Sequence, residues 1–400
     1  MSPGNAQALA KILARCDRKG EKVSIAGGGT LAGMGYPPER ADVTLSTVQL
    51  TGVAANERAD LVVAVRAGTP VRDVAVLLAA QGQFVPFDAP NAQYGTLGGA
   101  LAAGWLGPRR HRYGRLRDYL LGSTIVLADG TIARAGGMVV KNVAGYDMTR
   151  LYVGSFGTLG VLAQANLKTI PMPPHARLLL APLPERTRER ACTQLASLRI
   201  APGAAFWIDG FDHTIDGDEG PEGRILALLE GSDALVERAT LELRSALGRA
   251  GVPEARIVEA GAREAFERVV DSYIANLGER SVTYRFYPPP QESLQSALRA
   301  QESARSVELR AEVILDLMNA DVVLRVSDLD PHSFGAKIDG FDEELHRAQP
   351  RAMVIAGEHP RRAALQVWGA DPPAIERMRA LKVRFDPNRT LNPGCFVGRI

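Results

Sequence analysis

Three glycine-rich segments in the first 170 residues have the composition of loops that bind a large anion. They read Gly-Gly-Gly-Thr at residues 27–30, Gly-Thr-Leu-Gly-Gly at 95–99 and Gly-Ser-Phe-Gly-Thr-Leu-Gly at 154–160. Glycine has no Cβ, so its backbone can approach a ligand closely, and consecutive N–H groups form a concavity that binds phosphate. The alternative is that all three segments are tight turns with a purely structural role.

The segments depart from the common nucleotide-binding and hydrolase motifs. A P-loop continues Gly-Lys-Ser/Thr, whereas Met34 and Gly35 follow Gly33 here. A Rossmann fingerprint opens a helix with Gly-x-Gly-x-x-Gly, but the third glycine comes one residue late. Residues 154–157 lack the Gly-x-Ser-x-Gly spacing of a hydrolase nucleophile. Three such loops therefore indicate an extended anionic ligand held by backbone amides, a description that suits a flavin dinucleotide.

Charge and glycine are distributed unevenly along the 400 residues. Residues 1–170 contain 18 Lys/Arg against 11 Asp/Glu, a net charge of +7, and residues 171–400 contain 29 against 34, a net charge of −5. The first part also holds 24 of the 40 glycines. A basic, glycine-rich region suits an anionic ligand, although compositional drift is the alternative.

The overall composition excludes several classes of protein. A 46% share of hydrophobic residues excludes a disordered chain, and a net charge of only +2 argues against a nucleic-acid binder. No apolar run approaches the roughly 18 residues of a membrane-spanning helix, and no signal peptide is visible. Three widely spaced cysteines are typical of a reducing compartment. The sequence therefore predicts a cytoplasmic protein without an intrinsic membrane segment.

Hydrophobic periodicity predicts the elements that must position the glycine segments. An amphipathic helix is predicted at residues 5–18, and a strand at 23–26 leads directly into the first segment. A buried strand at 60–67 and a helix at 71–81 precede a long loop at 84–107, which contains the second segment. The other predictions for this part are a basic segment at 109–117, expected to be solvated, a hairpin at 119–133 and a closing strand at 163–169.

Three prolines within residues 170–174 predict a domain boundary, because proline ends strands and stiffens linkers. Beyond it, helical and strand patterns alternate, which predicts a two-layer α+β domain. Helices are predicted at 185–199, 231–250, 261–276 and 372–383, and strands at 178–181, 281–287 and 321–326.

The order of these motifs resembles the FAD-binding domain of the vanillyl-alcohol-oxidase (PCMH-type) flavoprotein family. The resemblance includes Phe-Asp-Pro and Leu-Asn-Pro-Gly within residues 385–394, and residues 103–110 and 136–147 are similar to FAD-binding subunits of glycolate oxidases. It implies an α+β fold, in which a PCMH-type FAD-binding domain of two α+β subdomains carries an inserted α+β cap. The expected boundaries are 1–172 for the FAD-binding domain, 173–380 for the cap and 381–400 for the C-terminal return.

The resemblance also implies which residues bind FAD. The loop at the pyrophosphate would consist of Gly27, Gly28, Gly29, Thr30, Leu31, Ala32, Gly33 and Met34. Around the ribityl chain and the flavin ring it places Pro90, Gly95, Thr96, Leu97, Gly98, Gly99, Ala102, Ala103, Gly104, Tyr113 and Gly114. The remaining contacts would come from Ala144, Gly145, Tyr146, Gly157, Gly160, Val161 and Asn392.

Some positions depart from the family pattern. Members with covalent FAD carry histidine where this chain has Gly29, so the FAD is expected to be noncovalent. Related dehydrogenases carry a clustered His-x-His motif in the cap, and none of the six histidines here forms such a pair. The chain is therefore expected to hold no metal. The catalytic residues stay unassigned, with Arg285, Arg325, Tyr284 and His359 as alternatives for a substrate site.

The resemblance implies an FAD-dependent oxidoreductase acting on CH–OH donors. We expect it to support oxidation of glycolate or another small 2-hydroxy acid and to pass the electrons to a partner. The expected partners are a sister FAD flavoprotein subunit and an iron–sulfur subunit, through which the complex would lie peripheral to the inner membrane. Two alternatives stay open: a stand-alone FAD-dependent dehydrogenase or oxidase, and a non-catalytic flavin relay subunit.

Overall fold

The computed structural model describes residues 1–139, 147–211, 223–252, 254–275 and 280–400. In these ranges the chain forms two compact units. The first unit comprises Met1–Gly107, Gly114–Met172 and Asp371–Ile400; the second comprises Pro108–Tyr113 and Pro173–Ala370.

Strands and helices are spread over both units. The strands are β1 (Val23–Ala26), β2 (Val43–Ser46), β3 (Val53–Glu57), β4 (Val62–Arg66), β5 (Gln83–Phe84), β6 (Leu120–Val126), β7 (Ile132–Gly136), β8 (Val161–Lys168), β9 (Ile170–Pro171), β10 (His175–Pro182), β11 (Ala204–Asp209), β12 (Arg224–Gly231), β13 (Arg256–Val258), β14 (Ser281–Phe286), β15 (Arg310–Asp316), β16 (Asp321–Ser327) and β17 (Met353–Gly357). The helices are α1 (Ala6–Lys19), α2 (Val71–Ala79), α3 (Leu97–Ala103), α4 (Arg110–Tyr113), α5 (Leu116–Tyr119), α6 (Glu185–Ala196), α7 (Asp233–Ala250), α8 (Ala262–Ser272), α9 (Ser293–Ser306), α10 (Pro331–Ala348), α11 (His359–Ala364) and α12 (Ile375–Phe385).

The first unit contains a five-stranded antiparallel sheet and a separate parallel pair. The sheet order is β3-β4-β8-β6-β7, and β1 pairs with β2 in parallel. Burial along β8 alternates strictly between residues, so one face of that strand packs on the core. Helix α1 begins where the Asn5 side chain accepts the Ala8 N–H and ends at Gly20, whose φ of 68° continues the chain in the left-handed region. Its buried Leu9 and Leu13 belong to the core that also surrounds β1.

The second unit is built on one eight-stranded antiparallel sheet. The strand order is β13-β10-β12-β11-β15-β16-β14-β17. Strands β14, β15 and β16 are buried almost throughout, which agrees with a sheet covered on both faces. The helices of this unit, α7 and α8 among them, bury one apolar stripe each. The prediction of an α+β fold is confirmed.

Most predicted elements of the first unit are present, but the predicted loop at 84–107 is wrong in part. Residues 97–103 form helix α3, which begins where the Thr96 hydroxyl accepts the Gly99 N–H. The segment contains two glycines and three alanines, so its composition resembles a loop although the cap fixes a helix. In the described residues, no helix has the length and apolarity needed to cross a membrane.

Candidate functional site

The first glycine segment ends β1 with a run of unpaired amides. The backbone N–H groups of residues 28–31 donate no hydrogen bond to any acceptor in the described part of the chain. Gly28 and Gly29 are exposed, and a Cβ at Gly29 would meet nothing within 4 Å. Such a row of N–H groups carries partial positive charge and binds an anion without side chains. The remaining predicted residues of this loop lie in turns in which Ala32 N–H donates to Gly29 O and Met34 N–H to Leu31 O.

The second glycine segment lies directly against the first. A Cβ on Gly28 would stand 1.6 Å from the Tyr94 carbonyl oxygen, and a Cβ on Gly27 would stand 2.2 Å from the Thr96 hydroxyl oxygen. Glycine is required at Gly28 because the obstacle is backbone rather than a movable side chain.

The amides of the second segment serve internal structure. Gly95 N–H donates to Asn91 O, Leu97 N–H to Thr69 O and Gly98 N–H to Ala67 O. Helix α3 and residues Ala102, Ala103 and Gly104 follow directly. This segment therefore supports the first loop and does not add a second nest of free amides.

The third glycine segment is joined to the end of α3. Gly154 N–H donates to Leu101 O at 2.9 Å, and Phe156 N–H donates to Ala102 O at 2.8 Å. A Cβ on Gly104 would come within 2.8 Å of the Gly154 Cα. Gly160 packs on Ile125, and Val161 is buried at the start of β8. The structure thus brings the three predicted segments together in the first unit.

The C-terminal tail closes this arrangement through Asn392. Its Oδ1 accepts the Ile25 N–H at 2.8 Å, and its Nδ2 donates to Phe156 O at 2.7 Å. Since Ile25 lies in β1 and Phe156 in the third segment, the carboxamide ties the two together. Gly157 is adjacent, because a Cβ there would stand 3.0 Å from Asn392 Nδ2. Asn392 is thereby placed at the predicted site as a bridge between loops.

Three of the other predicted site residues lie outside the described ranges, and two lie where the chain passes from one unit to the other. Ala144, Gly145 and Tyr146 fall in the range 140–146, outside the described residues. Gly114 belongs to the first unit, and Tyr113 belongs to the second. The Tyr113 hydroxyl donates to Glu230, and burial together with this carboxylate raises the pKa of Tyr113 to about 12.

The prediction that the basic segment 109–117 is solvated is wrong for its first residues. Arg109 Nη1 donates to Glu230 at 3.2 Å, and Arg110 Nη2 lies 2.9 Å from Asp321. Both carboxylates are buried in the second unit. Burial also lowers the pKa of His111, whose Nε2 lies 2.8 Å from Pro202 O. The two arginines anchor residues 108–113 within the second unit, and distant carboxylates that the local sequence does not show hold them there.

The alternative substrate arginines are also internal to the second unit. Arg285 is 2% exposed, and its guanidinium donates to both oxygens of Asp321, at 2.9 and 2.5 Å. Arg325 is 5% exposed and donates to Glu312 and to Ser272 O. The buried hydroxyl of Tyr284 donates to Asp342 at 2.9 Å. The side chain of His359 is not among the described ones.

The buried carboxylate of Asp316 lies beside the ion pair of Arg285 and Asp321. Asp316 pairs with Asp321 across β15 and β16 and is fully buried. Burial and the charge of Asp321 raise the pKa of Asp316 to about 7. Three donors, the Asn319 side chain and the amides of Met318 and Asn319, face its two oxygens. Asp316, Asp321 and Arg285 thus form a buried ionic network in the interior of the second unit.

No metal centre is found in the part of the chain that the structure describes. There, no three His, Cys, Asp or Glu side chains are grouped so that they could hold a metal ion. His346 is buried, and its two ring nitrogens lie 2.8 and 3.0 Å from the carbonyl oxygens of Asp342 and Ala352. Both ring nitrogens of His346 thus face backbone carbonyl groups, which indicates a structural role for this side chain. That the chain holds no metal stays a prediction.

The first unit fits the cofactor that the sequence resemblance implies. The amides of residues 28–31, which have no acceptor in the described part of the chain, offer the donors that a pyrophosphate needs, and they come from a strand end and glycine turn that the other loops hold in place. Asp73, Asp88 and Asp118 are the acidic residues between positions 61 and 128, so few carboxylates in this stretch oppose an anion.

Comparison with known proteins finds a matching family and relatives that are named as oxidase subunits or dehydrogenases. Residues 1–147 match the family described as "FAD binding domain". The chain is 27% identical to glycolate oxidase subunit GlcD of Bacillus subtilis (strain 168), in an alignment covering 100% of this chain and 88% of the relative. It is 35% identical to glycolate oxidase subunit GlcE of Escherichia coli (strain K12), over 46% of this chain and 53% of that protein.

Two further comparisons cover nearly the whole chain. D-lactate dehydrogenase of Archaeoglobus fulgidus is 27% identical over 100% of this chain and 91% of its own length. The solved structure of p-cresol methylhydroxylase with substrate bound superposes with a TM-score of 0.74 at 15% identity, covering 99% of this chain and 88% of that one. The structural likeness confirms the predicted PCMH-type fold.

Proposed function

We propose that this chain, an FAD-binding oxidoreductase homologous to glycolate oxidase subunit GlcD and to D-lactate dehydrogenase, supports the oxidation of glycolate or another small 2-hydroxy acid as one subunit of a larger complex. The names of two relatives, glycolate oxidase subunits GlcD and GlcE, support both the substrate class and the multi-subunit arrangement. The proposed partners are a sister FAD flavoprotein and an iron–sulfur subunit.

The first unit is proposed as the FAD-binding domain and the second as the inserted domain. The amides of residues 28–31 would bind the pyrophosphate, because they are consecutive donors that have no acceptor in the described part of the chain. The end of α3 and the third glycine segment would support the rest of the cofactor. Bound FAD supplies an acceptor for the two electrons removed from a CH–OH carbon.

The buried ion pairs of the second unit support the proposal that this chain needs a partner to oxidise its substrate. A 2-hydroxy acid needs a cation for its carboxylate and a base for its hydroxyl proton. Arg285 and Arg325, the cations that the sequence suggests, are instead neutralised by Asp321 and Glu312 inside the unit. Their charges are therefore committed to structure, and the substrate groups would come from elsewhere in the complex.

The location of the complex is a further part of the proposal. Cys16, Cys192 and Cys395 form no disulfide in the described part of the chain, which suits a reducing compartment. We place the chain on the cytoplasmic side, with its partners providing any association with the inner membrane.

The test is anaerobic reduction of the bound flavin by glycolate and by D-lactate. We expect the purified chain alone to bleach at least ~100-fold more slowly than the chain co-purified with its co-expressed partners, because a missing general base costs about 10²–10⁴ in rate. The control is dithionite, which should bleach both samples equally. Equal bleaching rates with millimolar 2-hydroxy acid would contradict the need for a partner.

A stand-alone dehydrogenase is the second candidate. The alignment with D-lactate dehydrogenase spans the whole chain, which favours a complete enzyme. This candidate predicts bleaching of the isolated protein within seconds, so the same experiment separates the two.

A further inference from the structure

Helix α12 buries a charge where an ordinary surface helix buries an apolar side chain. Lys382 is the one fully buried residue of Ile375–Phe385, with 4% of its surface exposed. Its neighbours Leu381 and Val383 are exposed instead. Burying an ammonium group is costly unless every donor is paired, so this lysine must satisfy a specific set of acceptors.

The three donors of Lys382 connect three separate parts of the first unit. Nζ donates to Thr158 O at 2.9 Å, to Leu391 O at 2.9 Å and to Asp386 Oδ2 at 2.6 Å. Thr158 lies in the third glycine segment, Leu391 lies in the C-terminal tail, and Asp386 ends the helix. The ammonium group therefore joins the tail to the third segment directly.

Asp386 extends this connection along the tail. Its Oδ1 accepts the Thr390 N–H, and its Oδ2 accepts the Leu391 N–H, both at 2.8 Å. The next residue is Asn392, held at a φ of 41°, whose carboxamide bridges Ile25 and Phe156. Asparagine adopts positive φ more readily than most non-glycine residues, so this conformation is compatible with the contacts of its carboxamide. Lys382 and Asp386 hold the two residues before it, Thr390 and Leu391.

The same tail pairs with the strand that carries the first glycine segment. Val23 N–H donates to Thr390 O at 2.7 Å, and Asn392 N–H donates to Val23 O at 2.9 Å. Val23 begins β1, whose end leads into the free amides of residues 28–31. A displacement of the tail would therefore move the first and third segments relative to each other.

We propose that Lys382 is a positioning residue of the FAD site, which fixes the third glycine segment and the C-terminal tail against the strand that presents the pyrophosphate-binding amides. This inference rests on the proposed placement of FAD in the first unit. Lys382 would act through its three acceptors, because they take up all three N–H donors of its ammonium group. Replacing a residue that supports the ligands of a metal site lowers the metal affinity about 10- to 100-fold. We expect replacement of Lys382 to lower the FAD affinity by a similar factor.

The test is the FAD dissociation constant of apoprotein variants, measured at a temperature at which circular dichroism shows each variant folded. Lys382→Met keeps the length of the side chain and removes the charge and the donors. We expect its FAD to bind about 10- to 100-fold more weakly than in the wild type. The matched control is Lys337→Met in α10, whose ammonium pairs with Asp328 in the second unit, and it should keep the wild-type constant.

A double variant separates positioning from the cost of an unpaired buried charge. Lys382→Met with Asp386→Asn removes both charges but also one of the two acceptors for the Thr390 and Leu391 N–H groups, so the apoprotein should regain part of the unfolding stability that Lys382→Met alone loses. Its FAD affinity should stay low, because methionine cannot donate to Thr158 O or Leu391 O. If Lys382→Met alone does not fold, the FAD affinity of the double variant tests whether Lys382 positions the FAD site.

Two outcomes would overturn the inference. One is a wild-type dissociation constant in Lys382→Met, and the other is a double variant that recovers affinity together with stability. Failure of the cofactor assignment itself is a different result, since wild-type apoprotein would then not bind FAD at all.

Discussion

Replacing Gly28 by alanine is expected to leave the protein without bound FAD. The added methyl carbon would stand 1.6 Å from the Tyr94 carbonyl oxygen and 2.7 Å from its carbon. Both atoms are backbone of the second glycine segment, so the two loops must separate. That movement displaces the free amides proposed to bind the pyrophosphate. We expect the flavin absorbance of purified protein to fall by more than about tenfold, because backbone overlap in a packed region is not relieved locally.

The matched control for this change is Gly248→Ala. Gly248 lies in α7, and a Cβ there would meet nothing within 4 Å. Alanine in a helix is favoured over glycine by about 1 kcal/mol, so this variant should keep full flavin content. A Gly28→Ala protein with wild-type flavin content would show that the first and second segments do not form the cofactor site.

Replacing Asp321 by asparagine is expected to destabilise the second unit strongly. Asp321 is 1% exposed and receives both Arg285 and Arg110. The substitution leaves two buried guanidinium groups facing a neutral amide, and breaking a buried ion pair in this way costs about 3–5 kcal/mol. Two of the three tryptophans, Trp207 and Trp368, belong to this unit and Trp105 belongs to the first, so tryptophan fluorescence reports mainly on unfolding of the second unit. We expect the urea midpoint to fall by on the order of 1–2 M.

An exposed aspartate provides the comparison. Asp339 is 58% exposed and lies 3.4 Å from Arg361. Asp339→Asn removes an ion pair of the same type in high dielectric, where it contributes about 0.5 kcal/mol or less. Equal midpoints for the Asp321 and Asp339 variants would mean that Arg110 and Arg285 do not depend on the buried carboxylate.

Local sequence patterns were sufficient to predict the elements around the glycine segments. The strand predicted at 23–26 is β1, and the hairpin around Asp129-Gly130 is formed by β6 and β7. These elements follow from short-range hydrophobic alternation and turn chemistry. Helix α3 was missed because glycine and alanine give no periodic apolar pattern, and its start depends on the Thr96 side chain.

The roles of the three glycine segments could be predicted only in part. Their composition is alike, yet only the first has four consecutive amides without an acceptor in the described chain. Which amides are free depends on acceptors such as Leu101 O and Ala102 O, which the fold brings to the third segment. A sequence motif identifies glycine, but it does not show which backbone groups are already paired.

Long-range contacts of buried charged side chains could not be predicted from the sequence. Arg109 and Glu230 are 121 positions apart, and Lys382 and Thr158 are 224 positions apart. A run of basic residues predicts a solvated face when its partners are unknown. The lysine gave one local clue, an aspartate four positions later at the end of a helix, but nothing marked it as buried.

Release of the cofactor from the purified protein by acid is the most direct test of noncovalent FAD binding. The chain has glycine at position 29, where the family resemblance places histidine in members with covalent FAD, and the donors proposed for the pyrophosphate are backbone amides. Acid precipitation should therefore leave a colourless pellet and a yellow supernatant. The supernatant should contain about one FAD per chain, as expected for a single cofactor site. Colour that stays with the pellet would contradict noncovalent binding, and protein that stays colourless after incubation with FAD would contradict the cofactor site itself.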